Sequence, residues 1–192
     1  KDWADKYSSA TYTQTAPTLW LPASEVAFLR AEGALRGWDM GGTAKELYEE
    51  GVKLSFSQWL ASGADAYLQD AVSKPGDYND PDPALAAKAI STITIKWNDA
   101  DPFETKLERV ITQKWIAMYP LGQEAWSEYR RTGYPRFFPL LNGNVTNLPS
   151  ANRIPFPPSE YIRNAANVNA AVSKLGGADN YQTKVWWQRR DK

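Results

Sequence analysis

The sequence predicts a mainly α-helical fold with a tetratricopeptide-like helix hairpin, long irregular loops and at most a short strand pair. Three observations carry this. Apolar and small residues recur at helical spacing over 22–36, 43–60 and 101–118. Two of those runs open with capping signals, and turn-forming Gly or Pro follows each run. Residues 61–90 and 136–158 instead concentrate Pro, Asn, Asp and Ser without helical period.

The elements follow in order. Residues 1–19 are polar and Ser/Thr-rich, an extended lead-in carrying Trp3, Tyr7 and Tyr12. Pro22 suits a first helical turn, where a missing N–H costs nothing. Ala27, Ala31, Ala34, Leu35 and Trp38 then line one face, and Gly37 is a candidate stop. Thr43 and Glu46 form a capping-box pair that opens the next helix. Its inner face reads Ala44, Leu47, Tyr48, Gly51, Ser55 and Trp59. A glycine in mid-helix costs ~1 kcal/mol relative to Ala, so Gly51 implies a close backbone approach. The hairpin of 20–60 is roughly the size of one tetratricopeptide unit, which cannot bury its own apolar face.

Residues 61–100 read as loop, with a short helix over 64–72, a helical turn over 84–89 and a strand over 91–97 (STITIKW). Asp77, Asn79, Asp80 and Asp82 are a weak candidate cation loop. Their spacing departs from the EF-hand pattern, and Pro81 and Pro83 interrupt it, so a solvated turn is the competing reading. Asp101, Pro102 and Glu104 predict a helix start with Asp101 as cap. Leu107, Val110, Ile111, Lys114, Trp115 and Met118 form its buried stripe, and Pro120 ends it. A short helix over 121–131 carries Ala125, Trp126 and Tyr129 on its inner face. Gly133 and Pro135 stop it, and Arg130 and Arg131 sit at its negative end. Residues 136–192 give an irregular loop, a helix over 158–175 broken near Asn164, and a tail. The tail sets Trp186 and Trp187 beside basic residues suited to cation–π docking.

Composition limits the chemistry. The 192 residues suit one domain with a sizeable core. With no His and no Cys there is no Ser-His-Asp triad, no thiolate nucleophile and no His- or Cys-ligated zinc. Lys plus Arg and Asp plus Glu are 22 each, so no net field favours nucleic acid, and no nucleic-acid partner is expected. No cofactor is implied. The excess is aromatic, with nine Trp, ten Tyr and six Phe. Most of these rings suit a core, but one or two exposed rings suffice to stack on sugar. The opening residues lack a signal-peptide pattern and read as a chain that begins mid-protein.

Several ordered segments resemble the SusD/RagB family of nutrient-binding outer-membrane lipoproteins of Bacteroidetes. They include ASEVAFLRAE (23–32) with Gly37 and Trp38, YEEGV (48–52), LERVITQKWIA (107–117) and GQEAW (122–126). RRTGYP (130–135), Arg153 with Ile154 and Pro155, and the Trp186, Trp187 pair complete the set. Structural motif positions are therefore Trp115, Trp126, Arg130, Arg131, Gly133, Tyr134, Pro135, Arg153, Trp186 and Trp187. Two positions depart from the pattern: Asn152 stands where an arginine is usual, and Gln188 where an acid is usual.

The resemblance implies that 1–192 is the C-terminal region of a longer protein on a SusD-like helical fold. It implies a non-catalytic glycan- or nutrient-binding component of an uptake system with a SusC-like TonB-dependent transporter. Its implied place is the cell-surface face of the outer membrane, anchored through an N-terminal Cys outside this chain. The expected partners are that transporter, an oligosaccharide or other nutrient, and the N-terminal remainder of its own chain. A structural module that docks the transporter without touching ligand is the alternative. A glycosidase using Glu124 with Glu128 or Glu46 with Glu50 is a third reading, disfavoured because such pairs usually mark solvated helix faces. The family's motifs lie in packing helices, so candidate ligand contacts come from loop aromatics and their polar neighbours. They are Trp3, Tyr7, Tyr12, Tyr78, Asn79, Trp97 and Asn98.

Overall fold

The computed structural model describes residue 15 and residues 17–138, 140–142, 145–148 and 151–188. Trp3, Tyr7 and Tyr12 lie outside these residues. Among the described residues the helices are α1 (Ala23–Leu35), α2 (Ala44–Gln58), α3 (Ala64–Leu68), α4 (Phe103–Ala117), α5 (Gly122–Thr132), α6 (Pro158–Arg163) and α7 (Ala165–Ser173). The chain is mainly α, as the periodicity predicts.

The α1–α2 hairpin forms as its caps dictate. Thr43 accepts a bond from the Glu46 N–H, and the Glu46 carboxylate accepts from the Thr43 N–H at 2.8 Å, closing both halves of the capping box. Gly37 adopts φ +82°, which ends α1. Gly51 has the packing role that its mid-helix position implies: a Cβ there would lie 2.8 Å from the Phe28 ring. Gly51→Ala in the full-length protein is expected to lose roughly 1–2 kcal/mol, because overpacking outweighs the gain in helix propensity. Equilibrium denaturation checks this; unchanged or raised stability would show that Phe28 moves aside freely.

The core is built where α1, α2 and α4 meet. Phe28, Ala31, Leu47, Tyr48, Val52, Trp97 and Val110 form one buried cluster. Two inner-face expectations fail at the helix ends. Trp38 is mostly exposed, and Trp59 is half-exposed and rests on Tyr119 with ring centroids 6.2 Å apart. Both lie beyond the last full turn of their helices, where the 3.6-residue register no longer directs them inward.

Charged groups fasten α5 to α1 and α4. Lys114, 2% exposed, lies 3.7 Å from Glu25 and 3.3 Å from Glu128. Arg131 grips Glu32 through two bonds of 2.7 and 2.5 Å and Glu128 through bonds of 3.1 and 2.7 Å. Burial would push the Glu32 carboxyl up, but Arg131 and Arg36 hold it below the usual range. Burial, only partly offset by Lys114, pushes Glu25 up.

Four sequence expectations are corrected. The strand expected over 91–97 does not form. Burial does alternate at Ser91 and Ile93, but no neighbouring strand pairs with this segment, and its backbone bonds go to side chains and to a loop. The short strand pair instead joins β1 (Leu140–Asn142) to β2 (Val145–Leu148), antiparallel, inside the segment expected to be irregular loop. Asp101 does not cap α4, whose cap residue is Pro102; its carboxylate is taken by Arg109 at 2.7 Å. Trp115 leaves the buried stripe and is 38% exposed, while Leu107, Val110, Ile111, Lys114 and Met118 stay inside.

α5 stops at Gly133 (φ +78°) as expected. Trp126 and Tyr129 are only half-buried. Trp126 is covered by Arg130, whose guanidinium lies 3.5 Å from its ring centroid, and its indole N–H bonds the Ala151 carbonyl at 2.9 Å. Arg130 also faces Trp187 at 4.7 Å, so an α5 cation helps dock the tail. Trp186 stays 85% exposed. The two departures noted at Asn152 and Gln188 face each other: the Gln188 amide donates to Asn152 Oδ1 at 3.0 Å. Arg153 pairs with Asp179, which also accepts from the Tyr161 hydroxyl at 2.7 Å and pins the 151–161 loop. α6 and α7 are divided at Asn164, where the break is expected.

Candidate functional site

The segment 89–97 runs as a strap across α4, and the protein anchors it at successive points. Ser91 donates to Glu108 at 2.6 Å, and the Thr94 carbonyl accepts from Arg109 Nε at 3.0 Å. The Ile95 carbonyl accepts from the Tyr48 hydroxyl at 2.6 Å, and the Lys96 N–H donates to the Asp70 carbonyl at 2.8 Å. The chain that follows Gly133 lies against the other side of α4. Tyr134 is buried there, with its hydroxyl on Glu104 at 2.9 Å. Two depressions flank this arrangement.

The first is an apolar groove of about 490 Å³, lined by Ile90, Ile93, Trp115, Ile116, Phe137 and Phe138. Trp115 meets Phe137 edge to face at 5.3 Å, Phe137 meets Tyr129 at 4.9 Å, and Phe138 meets Tyr78 at 6.0 Å. Neighbouring rings thus hold one another's orientation. The second is a polar cleft of about 570 Å³, lined by Lys96, Asn98, Asp101 and Glu108 among others. Ile93, Thr94, Arg109 and Arg136 line both, so the two depressions share a wall at the strap. One end offers ring faces and the other offers polar groups, the pairing that binds amphipathic ligands.

The sequence candidates fall unevenly around this site. Tyr78 supports Phe138 and donates its hydroxyl to Asp80 at 2.5 Å. Asn79 is exposed beside it and lines neither depression. Asn98 lines the polar cleft while closing a local turn with Ala100 and Asp101. Trp97 is not a free loop ring. It is 7% exposed, packs on Tyr48 at 5.4 Å, and lines the polar cleft from this buried position.

The candidate cation ligands are engaged separately. Asp77 pairs with Lys88 at 2.5 Å, Asp80 accepts from Tyr78 and the Asp82 N–H, and Asp82 caps the short 3-10 turn Pro83–Leu85. Among the described residues no group of three or more acidic side chains gathers to hold a metal. Phe137, Phe138, Arg136 and Glu108 were missed as site residues. The adjacent Phe pair inside a Pro-rich loop was the available signal.

Three of the four glutamates considered for acid–base work are engaged with partners, and the fourth, Glu124, is exposed on α5. Glu128 is spent on Arg131 and Lys114, Glu46 on its cap, and Glu50 on Arg30. Fold and site together define a helical-hairpin protein with an apolar groove and a polar cleft on either side of one strap. A model of the SusD-like family, described as Susd and RagB outer membrane lipoprotein, matches residues 1–188. The chain belongs to that family.

Solved structures agree. A SusD homologue from Bacteroides uniformis is 49% identical with TM-score 0.89, over 96% of this chain and 40% of that one. One from Bacteroides thetaiotaomicron is 45% identical with TM-score 0.87, over 95% and 40%. A chitin-binding SusD homologue from Flavobacterium johnsoniae is 50% identical with TM-score 0.81, over 88% and 36%. The chain thus spans about 40% of the length of the first two. A comparison with the curated proteins finds no match.

Proposed function

We propose that this chain is part of a non-catalytic glycan- or nutrient-binding lipoprotein that serves a SusC-like TonB-dependent transporter at the outer membrane. The supporting observation is the pair of depressions that share a wall at the 89–97 strap, one holding half-exposed Trp115 and Phe138 and the other lined by polar groups. Sugar rings present C–H faces that stack on such aromatics, and their hydroxyls need the polar groups alongside. A chitin-binding SusD homologue among its relatives supports a glycan ligand. The protein works at the cell-surface face, anchored through a lipid-modified N-terminal Cys that these 192 residues do not include. The rest of its own chain covers the outer side of the lone hairpin, where Val26 and Leu29 are exposed.

Affinity electrophoresis of the full-length protein against a glycan panel tests the reading. Trp115→Ala should weaken retention about tenfold while leaving the protein folded, since losing one stacked ring costs on the order of 1–2 kcal/mol. Retention on peptides with none on any glycan would overturn the sugar reading.

One feature supports the alternative of a docking module: Trp186 stands 85% exposed on the tail. Under that alternative Trp186→Ala would abolish capture of the transporter, and no glycan would be retained by the unaltered protein.

A further inference from the structure

The charges lining the cleft are unequally committed. Each oxygen of its two carboxylates already has a partner within the protein. Asp101 accepts from Asn98 at 2.9 Å through one oxygen and from Arg109 at 2.7 Å through the other. Glu108 accepts from Ser91 at 2.6 Å and pairs with Arg136 Nε at 3.3 Å. The cations are not. Lys74 and Lys96 are exposed on the rim, with no carboxylate partner for either ammonium among the described residues.

Arg136 lines both depressions with its side chain 48% exposed; its Nε pairs with Glu108 and its guanidinium also meets the Tyr134 hydroxyl, so its half-exposed face is what a ligand would meet. Arg109, 3% exposed, adds a buried charge whose Nη1 has no acceptor. Four cations and two carboxylates therefore line the two depressions, and each carboxylate oxygen already has a partner within the protein. A neutral sugar both donates and accepts; this wall donates far more than it accepts. An anionic group reverses that mismatch, because charge-assisted bonds to Arg and Lys are the strong ones.

We propose that the cleft takes an acidic oligosaccharide, with one sugar face on Trp115 and Phe138 and its carboxylate or sulfate held by Arg136 and Lys96. This rests on the glycan-binding reading above and names the ligand class. Lys74 extends the positive rim along the apolar groove, so a second acidic residue of a chain would meet it there.

The test uses the full-length protein and matched ligands that differ only in charge. Polygalacturonate is set against its methyl ester, dextran sulfate against dextran, and chitin oligosaccharides serve as a further neutral arm. Retention is expected on one charged member at least tenfold above its neutral match, and which pair responds identifies carboxylate or sulfate. Arg136→Ala and Lys96→Ala should each lower that retention about tenfold, the loss of one charge-assisted bond, and Arg136→Lys should restore part of it. Lys174→Ala, at the end of α7 away from the cleft, should change nothing; an equal loss there would mark non-specific attraction and overturn the proposal. Equal retention on charged and neutral members, unaffected by Arg136→Ala, also overturns it while upholding glycan binding. No retention on any glycan overturns both.

Discussion

Lys114→Ala is expected to remove ~3–5 kcal/mol of stability at neutral pH, the cost of leaving buried charges without their partner. Lys114 is 2% exposed and lies between Glu25 and Glu128, both largely buried. Removing the ammonium leaves Glu25 facing Glu124 and Glu128, which already push its pKa up. The loss should therefore depend on pH, with a definite sign. A carboxyl whose folded pKa is above its usual 4.5 holds a proton that the unfolded chain has released, so stability rises as pH falls from the folded pKa toward 4.5. Lys114→Ala raises that folded pKa further and widens the window. The variant should be far less stable than the unaltered protein at pH 8 and recover part of the difference near pH 5. Adding Glu25→Gln should recover part of it at pH 8 and little near pH 5, where Glu25 of the single variant is already largely protonated. Denaturation midpoints at several pH values check this, and a deficit that does not change with pH would show that lost packing of the lysine stem is the cause.

The same residue marks where the sequence is legible. Its place in the run Leu107, Val110, Ile111, Lys114 declares it buried, and a buried lysine demands an acid. Which acid was hidden, since Glu25 lies on another helix and no local period connects them. Local signals carried α1 through α5 well: the Thr43 capping box, Gly133 at the left-handed stop and the Asn164 break all form as written. They failed where tertiary partners decide. The 91–97 run has the alternation of a strand but no strand beside it, so side chains take its carbonyls. Trp115 fits the buried stripe by spacing, yet it sits at the edge that faces the groove. The family resemblance located the fold through packing motifs, which is why it was silent about the cleft. Phe137 and Phe138 become site residues only because the chain after Pro135 turns back beside α4.

Tyr48 joins the hairpin to the cleft, so its removal should damage both. The side chain is fully buried, with Phe28 at 6.2 Å edge-on and Trp97 at 5.4 Å. Burial pushes its hydroxyl pKa well above the ordinary range, so it remains a neutral donor to the Ile95 carbonyl at 2.6 Å. Tyr48→Ala opens a cavity between α1, α2 and the strap and should cost ~3–5 kcal/mol. Tyr48→Phe separates the two roles. It keeps the ring contacts and deletes the bond that holds the strap at Ile95, at a cost of ~1 kcal/mol. Because Ile93, Thr94 and Ile95 wall the groove, the Phe variant should stay folded yet retain glycan less well. A Phe variant with reduced stability and unchanged retention would show that the strap holds its position without Tyr48. Equal losses from Phe and Ala would place the whole effect in the hydroxyl rather than in the packed ring.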